Sequence, residues 1–321
     1  MIETRGLRKS FNVKRKRKSV TVDAVRGIDL TVAQGEIFGF LGPNGAGKTT
    51  TLRMLSTLIV PDGGQATIAG ADLLKSPEQV RRLIGYVAQG GGTNDEVTGR
   101  EELILQARMY GFSKAEAQRR ANLALASFEL ADYGDRQCMT YSGGQRRRVD
   151  IALGVIHSPK LLFLDEPTAS LDPQSRARMW DEVRRLRSEG MTVFITTHYL
   201  EEADALCDRI AIIDNGEIVA GGTPDQLKHE ISGDVVTVGL DGAEDTSAQA
   251  ADLLKNLAFV HQLEISDEEG LRLYVDDGAS AIPQILRTLD GAGIAFGRME
   301  LSRPSLDDVF LAKTGRSLRE S

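Results

Sequence analysis

A glycine-rich loop between an apolar strand and a helical pattern constrains this chain more than any other feature. Residues 36–50 read E-I-F-G-F-L-G-P-N-G-A-G-K-T-T, and Gly42–Thr49 fits G-x-x-x-x-G-K-[ST] without a gap. The glycines let successive backbone N–H groups face one anion, and the N-terminus of the following helix adds its dipole there. The pattern predicts a phosphate-binding loop for a nucleotide; the alternative is a chance glycine-rich turn.

The side chains of this loop have distinct predicted tasks. Lys48 places a positive charge on the β- and γ-phosphates, and Thr49 offers a hydroxyl to Mg²⁺. The nucleotide-binding residues predicted here are Gly42, Pro43, Asn44, Gly45, Ala46, Gly47, Lys48, Thr49 and Thr50.

Two acids end another apolar run, L-L-F-L-D-E at 161–166. A buried strand of this kind brings its acids to the carboxyl edge of a parallel sheet, where α/β proteins bind ligands. We expect Asp165 to hold Mg²⁺ through water and Glu166 to orient or deprotonate an attacking water. The alternative is an acidic cap at a strand-to-turn junction.

A second glycine-opened helix begins at Y-S-G-G-Q, residues 141–145, about twenty residues before the two acids. Ser142 is a helix cap, and Gly143, Gly144 and Gln145 would open another anion-binding helix terminus. The motif alone is also compatible with an ordinary glycine turn, so its position in the chain carries the argument.

The order of the elements predicts two domains. Apolar runs at 36–41, 161–165, 192–197 and 209–214 alternate with helical patterns at 99–110, 114–127 and 174–189, which predicts an α/β domain with a mostly parallel sheet over residues 1–230. Residues 231–321 read as βαββαβ, a ferredoxin-like α+β domain with a turn at Glu268-Glu269-Gly270. A last helix is expected after Pro304, with Ser305 as its cap.

Charge and composition exclude several classes. Residues 231–321 hold 16 acidic and 8 basic residues, so the net charge of this segment is more negative than the −7 of the whole chain. Nothing in the segment favours nucleic-acid binding. Neither a membrane-spanning apolar run nor an N-terminal signal segment is evident, and Cys138 and Cys207 are too few for a disulfide framework. The basic run 14–18 is either a solvated loop between two strands or a contact for phosphates or anionic lipid.

Together the motifs resemble an ABC-type ATPase domain, a P-loop NTPase fold, over residues 1–230. They stand in the family's order: Gly42–Thr49, Gln89, Ser142–Gln145, Asp165-Glu166, Ala169–Asp172 and His198. The E-E-A-D at 201–204, the stretch Thr98–Leu103 and the ending Pro304–Phe310 are similar to the daunorubicin-resistance type of multidrug-export ATPase. The acidic tail resembles the extra C-terminal domain of that subgroup.

The resemblance implies further roles, each with a structural alternative. Phe11 would stack on adenine or be a core aromatic; His198 would contact the γ-phosphate or be a structural histidine. Gln89 would reach Mg²⁺ and the attacking water or lie in a surface turn. Asp172 would close a dimer interface, and the Ser142–Gln145 turn would bind the γ-phosphate held by a second chain.

Two departures from the family pattern accompany these roles. Tyr141 replaces the usual leucine before S-G-G-Q, which leaves the anion-binding atoms of the turn in place. Three glycines follow Gln89, and such a run suits a hinge that moves with nucleotide state.

These expectations combine into one function. The chain binds ATP and Mg²⁺, forms a head-to-tail homodimer around two ATP molecules, and drives export of a drug or other lipophilic compound. It works at the cytoplasmic side of the membrane as a peripheral subunit, through a separate polytopic permease, with no nucleic acid as partner. The alternatives are a soluble ABC-type ATPase acting on DNA or ribosomes, and an importer ATPase, which shares every catalytic motif.

Overall fold

The computed structural model describes residues 1–15, 18–231, 233–240, 244–266 and 270–315, and for 14, 15, 18, 19, 244–246 and 266 only the backbone. The chain divides into two compact units, one over Met1–Pro224 and the other beginning at Asp225. Each unit has its own apolar core. The helix at 224–230 therefore belongs with the second unit.

The described strands, in chain order, are β1 (Ile2–Arg15), β2 (Lys18–Val32), β3 (Ile37–Leu41), β4 (Gly63–Ile68), β5 (Ala71–Asp72), β6 (Ile84–Val87), β7 (Leu161–Asp165), β8 (Thr192–Thr197), β9 (Arg209–Asp214), β10 (Glu217–Gly222), β11 (Asp234–Leu240), β12 (Val260–Ser266), β13 (Gly270–Val275) and β14 (Phe296–Ser302). The described helices are α1 (Lys48–Leu55), α2 (Pro77–Leu83), α3 (Gly99–Met109), α4 (Lys114–Ser127), α5 (Gly143–Val155), α6 (Pro173–Ser188), α7 (Leu200–Leu206), α8 (Pro224–Glu230), α9 (Glu244–Leu254), α10 (Gly278–Gly291) and α11 (Leu306–Thr314).

A six-stranded sheet in the order β10-β9-β3-β8-β7-β6 forms the centre of the first unit. Its strands pair in parallel except for β10, which is antiparallel to β9. Every residue of β3, β7 and β8 is buried, as expected for apolar strands covered on both faces. The predicted α/β class with a mostly parallel sheet is confirmed.

A second sheet, β2-β1-β4-β5, is antiparallel and was not anticipated as a separate layer. Its strands β1 and β2 are 14 and 15 residues long, so the ladder continues through Lys14↔Ser19 and Arg15↔Lys18 where we expected a loop. Lys16 and Arg17 lie outside the described residues. Apolar residues of this sheet and of the central sheet share one core, which includes Ile2, Val25, Phe38 and Phe194.

Side-chain caps determine where the helices near the central sheet begin. Thr98 and Ser142 each form a capping box with the residue three positions later, and Ser113 caps α4. Asp172 caps α6, which has proline at its first position. Within the described part of the chain, no helix combines the length and the apolar character needed to cross a membrane.

The second unit contains a four-stranded sheet in the order β12-β13-β11-β14, with every neighbouring pair antiparallel. Together with α9 and α10 it follows the predicted ferredoxin-like βαββαβ order. The expected last helix is α11, whose cap Ser305 forms a capping box with Asp308. Of the predicted turn, Glu268 and Glu269 lie outside the described residues.

Candidate functional site

The predicted motifs meet at one edge of the central sheet. The glycine-rich loop follows β3, Gln89 follows β6, Glu166 follows β7 and His198 follows β8. These strands are parallel and adjacent in the order β3-β8-β7-β6, so their carboxyl ends lie side by side. The edge therefore brings together residues as far apart in the sequence as Gly42 and His198.

The geometry of the glycine-rich loop requires glycine at three positions. A Cβ on Gly42 would lie 2.2 Å from the carbonyl oxygen of Ile213. Gly47 has φ +106°, and a Cβ there would lie 2.4 Å from the carbonyl oxygen of Ala24 on β2. Gly45 has φ +81°, a conformation that other residues rarely adopt. Asn44 and Gly45 are exposed, whereas Pro43 and Ala46 are buried. The loop is thus anchored on its protein side and open on the other.

Lys48 is buried at the N-terminus of α1. Its Nζ donates to the carbonyl oxygens of Gly42 at 2.7 Å and Pro43 at 3.0 Å, and lies 3.4 Å from Glu166 Oε1. Burial lowers the pKa of Lys48, while the negative charges of Glu166 and Asp165 act in the opposite direction. The Lys48 ammonium group therefore lies at the loop, where phosphate oxygens could replace the carbonyl oxygens as its hydrogen-bond partners.

The Asp165 carboxylate, at the end of β7, accepts hydrogen bonds from two hydroxyl groups. Its Oδ1 accepts from Thr49 Oγ1 at 3.1 Å and from Thr196 Oγ1 at 2.6 Å. The Thr49 hydroxyl and the Asp165 carboxylate are oxygen ligands of the kind that Mg²⁺ prefers. No cluster of three or more His, Cys, Asp or Glu side chains suited to a metal occurs among the described residues.

Glu166 is the point on which the other polar groups converge. It is buried and has φ +44°, and its N–H donates to the carbonyl and hydroxyl oxygens of Thr196 at 3.1 Å each. Its Oε2 accepts from Gln89 Nε2 at 2.9 Å and lies 3.2 Å from His198 Nδ1, without hydrogen-bond geometry to the ring. A non-glycine residue held in the left-handed region at such a point is a frequent mark of a functional site.

Two further predicted groups lie next to each other on the surface of the same unit. Ser142 accepts from the Gln145 N–H at 3.2 Å, and the Gln145 side chain accepts from the Ser142 N–H at 2.9 Å. A Cβ on Gly144 would lie 2.9 Å from Ser175 Oγ, and Ser175 donates to Asp172 through both its N–H and its hydroxyl. These hydrogen bonds lower the pKa of Asp172.

Tyr141 has a structural explanation. Its hydroxyl donates to the carbonyl oxygen of Tyr133 at 2.7 Å, and the ring packs where a Cβ on Gly99 would stand. The tyrosine therefore fixes the turn that precedes Ser142 to the start of α3. At the helix terminus beside it, Ser142 and Gln145 form the capping box that opens α5.

Phe11 belongs neither to the residues around Glu166 nor to the group formed by Ser142–Gln145 and Asp172. It lies on β1 opposite Val22, is 40% exposed, and has Lys9 Nζ at 5.6 Å from its ring centroid. The structure thus does not make it a core aromatic, which was the alternative to adenine stacking.

Several polar residues at this site were missed by sequence reasoning. Thr196 binds Asp165 and Glu166, and buried Arg147, Asp150 and Glu202 surround the loops that carry Gln89, Glu166 and His198. A strand ending in two threonines was a signal for Thr196. For Asp150 the signal was weaker, a single acid between apolar Val149 and Ile151, and Arg147 had none, since it stands between Arg146 and Arg148.

Comparison with known proteins identifies the family. A family model described as ABC transporter matches residues 25–169, and one described as ATP-binding protein DrrA1-3-like, C-terminal domain, matches residues 222–314. The chain is 44% identical over 317 residues to the daunorubicin/doxorubicin resistance ATP-binding protein DrrA of Streptomyces peucetius, covering 98% of this chain and 92% of that protein. It is 38% identical to the Nod factor export ATP-binding protein I of Burkholderia lata, covering 92% and 93%.

Solved structures agree with this assignment. The ATP-binding cassette MJ0796, solved as a dimer in a post-hydrolysis state with ADP and Pi, matches with a TM-score of 0.62 and 26% identity. The match covers 70% of this chain and 98% of that one. ATP hydrolysis is the reaction of this domain. The chain therefore belongs to the ATP-binding proteins of ABC transporters, in the group that contains the daunorubicin/doxorubicin-resistance protein DrrA.

Proposed function

We propose that this chain hydrolyses ATP as a head-to-tail dimer to drive export of a drug or other lipophilic compound through a separate membrane permease. The observation that carries the proposal is the convergence of Lys48, Gln89 and His198 on the Glu166 carboxylate, at the sheet edge beside the glycine-rich loop. The names of the two curated relatives, a resistance protein and an export protein, support export rather than import.

ATP binding would give a role to most residues of the glycine-rich loop. Backbone N–H groups between Asn44 and Thr50 would surround the phosphates, and Lys48 would exchange its carbonyl partners for β- and γ-phosphate oxygens. Thr49 and Asp165, with the Gln89 amide oxygen, would hold Mg²⁺, which neutralises charge on the phosphates when it is bound. Phe11 stacks on adenine; its exposed ring supports this role.

Hydrolysis places Glu166 beside the attacking water. The carboxylate orients the water and accepts its proton, while the water oxygen bonds to the γ-phosphorus. The bond from that phosphorus to the oxygen bridging the β-phosphate breaks, which yields ADP and phosphate. Gln89 and His198 already lie beside Glu166 Oε2, so both can position the water and the γ-phosphate.

The second group of residues suits a partner chain. The Ser142–Gln145 turn and Asp172 stand together on the surface, and a capped helix N-terminus is an anion site. In a head-to-tail dimer, each turn would bind the γ-phosphate held by the other chain. Two ATP molecules then favour the closed dimer through contacts that only that state makes, and hydrolysis removes them.

The permease is a separate polypeptide in this proposal. The chain would lie on the cytoplasmic side of the cell membrane as a peripheral subunit, and the Gln89 loop with α3 and α4 would pass the change of nucleotide state to it. The cargo would bind in the permease.

One isolation experiment tests the proposal. The Glu166→Gln chain should trap the ATP-bound dimer; it is isolated with ATP and Mg²⁺ from gently solubilised native membranes, and companions are identified by mass spectrometry. We expect a stoichiometric polytopic membrane protein, retained more strongly than by a Lys48→Ala chain treated identically. Recovery only with ribosomes or nucleic acid would contradict the exporter assignment.

A further inference from the structure

One buried arginine contacts both of the loops that carry Gln89 and Glu166 at the edge of the central sheet. Arg147, in the second turn of α5, donates from Nη1 to the carbonyl oxygen of Ala88 at 2.7 Å. Its Nε donates to the carbonyl of Pro167 at 2.9 Å and its Nη2 to that of Asp165 at 3.2 Å. These three carbonyls belong to the residue before Gln89 and to the two residues that flank Glu166. A single guanidinium therefore holds the backbone around both side chains.

Asp150, three positions later on the same helix, holds the far side of the Gln89 loop. Its Oδ1 accepts from the Gly92 N–H at 2.9 Å. Gly91 has φ +73°, and a Cβ there would lie 2.6 Å from Asp150 Oδ2, so the loop closes tightly around the carboxylate. The loop of three glycines is thus fixed at both ends by α5, and free hinge motion is not what its contacts favour.

A contribution to folding stability alone explains the buried pair of Arg147 and Asp150 poorly. Arg147 and Asp150 are 6% exposed each, and Arg147 Nη1 lies 3.9 Å from Asp150 Oδ2. Burying two charges is expensive, and apolar residues of similar volume often give equal or better stability. The planar guanidinium supplies what apolar residues cannot, since it reaches three carbonyls at fixed angles.

We propose that Arg147 and Asp150 are positioning residues for ATP hydrolysis. They hold Gln89 and Glu166 in one rigid body with α5, the helix whose N-terminus is the Ser142–Gln145 turn. When the Ser142–Gln145 turn binds a γ-phosphate held by the partner chain, α5 therefore transmits this contact. The contact acts on the Gln89 and Glu166 that belong to the same chain as the turn. The inference rests on the proposed roles of those residues.

The test compares two neighbouring arginines of α5. Arg147→Lys keeps the charge but cannot bind three carbonyls, so kcat should fall roughly 10- to 100-fold, as for misplaced catalytic groups. The affinity for ATP should stay within about threefold, since the phosphate loop is untouched. Arg148→Lys is the matched control: Arg148 is also largely buried, but it donates to Phe128 and Glu129, away from the site. Its kcat should stay within about twofold of wild type.

Unfolding temperature separates positioning from stability. Arg147→Lys and Arg148→Lys should both lower it, whereas only the former should lower kcat. Arg147→Gln combined with Asp150→Asn serves as a second variant if the lysine chain does not fold, because it leaves neither buried charge unpaired, and the same loss of kcat is expected. A kcat for either Arg147 variant as close to wild type as that of Arg148→Lys would overturn the proposal.

A double variant tells this inference apart from the proposed function. If Arg147 acts through Glu166, adding Arg147→Lys to Glu166→Gln should lower the residual rate by less than about threefold, since residues that act as a unit are not additive. A loss as large as in the wild-type background would show that Arg147 acts elsewhere. If Glu166→Gln alone keeps the wild-type rate, the proposed function fails; if only the Arg147 variants keep it, the positioning role fails.

Discussion

Gln89 Nε2 donates a 2.9 Å hydrogen bond to Glu166 Oε2, although 77 positions separate the two residues. The register of the sheet explains the contact. Val87 and Leu164 are partners on the parallel strands β6 and β7, and Gln89 and Glu166 each follow two residues later. A residue on the loop proposed to pass the nucleotide state to the permease is thereby joined directly to the residue proposed to activate water.

Removing the charge of Lys48 should abolish ATP binding. Lys48→Ala also leaves Glu166 buried without its nearest cation, and breaking a buried pair in this way costs about 3–5 kcal/mol of folding free energy. The double variant Lys48→Ala/Glu166→Gln removes the unpaired carboxylate, so it should regain stability and still not bind ATP. Calorimetric titration with ATP and thermal unfolding measure both effects. Micromolar ATP affinity in either variant would refute the role of Lys48.

Adjacent glycines of the Gln89 loop should differ sharply. Gly91→Ala requires a left-handed conformation and a contact with Asp150 Oδ2, which together cost about 1–3 kcal/mol locally. Gly90→Ala meets nothing within 4 Å and serves as the control. We expect Gly91→Ala to lower kcat about tenfold or more through displacement of Gln89, and Gly90→Ala to keep a nearly unchanged rate. Equal effects in a steady-state ATPase assay would mean that the loop geometry does not matter for the reaction.

Glu202 should make stability depend on pH. This buried carboxylate of α7 accepts from Thr168 Oγ1 at 2.8 Å and Trp180 Nε1 at 3.1 Å. Burial raises its pKa above the ordinary 4.5, against the opposing effect of these hydrogen bonds. The folded state then binds the proton more tightly than the unfolded state, so stability from this group is lost as pH rises from 4.5 through the folded pKa.

Glu202→Gln removes that loss and keeps an acceptor for both donors. The difference in urea midpoint between variant and wild type should grow in favour of the variant as pH rises from 5, and level off above the folded pKa. A difference that is constant, or that shrinks with rising pH, would rule out a raised pKa at this residue.

The first unit should fold and bind ATP without the second. The buried apolar residues described in the first unit lie between positions 2 and 213, and those described in the second unit lie between 227 and 310. We therefore propose that residues 1–224 form an independent domain. The truncated chain should unfold cooperatively and bind ATP within about threefold of the full chain. An insoluble product, rescued by supplying residues 225–321 separately, would show that the two units depend on each other.

Much of the catalytic edge was predictable because its signals are local. The strands at 161–165, 192–197 and 209–214 were expected at those positions, since short, near-continuous apolar runs are typical of buried parallel strands. The pattern G-x-x-x-x-G-K-[ST] between a strand and a helix predicts a phosphate loop on its own.

Other features could not be read in the same way. The pairing of Lys14 with Ser19 and of Arg15 with Lys18 was hidden, because strand ends with polar side chains look like a loop in a sequence. Arg147 was hidden because its partners are backbone carbonyls of residues 88, 165 and 167, which no sequence pattern reveals. Gly90–Gly92 suggested a free hinge, whereas the contact with Asp150 depends on the packing of α5.

The most direct test of the account is the hydrolysis rate of Glu166→Gln measured beside its ATP affinity and dimerisation. The variant removes only the proton acceptor, so ATP affinity should stay near wild type and light scattering should show a dimer with ATP and Mg²⁺. The rate should fall on the order of 10²–10⁴-fold, the usual effect of losing a general base. A rate near that of wild type would show that another group activates the water and would contradict the central role of Glu166.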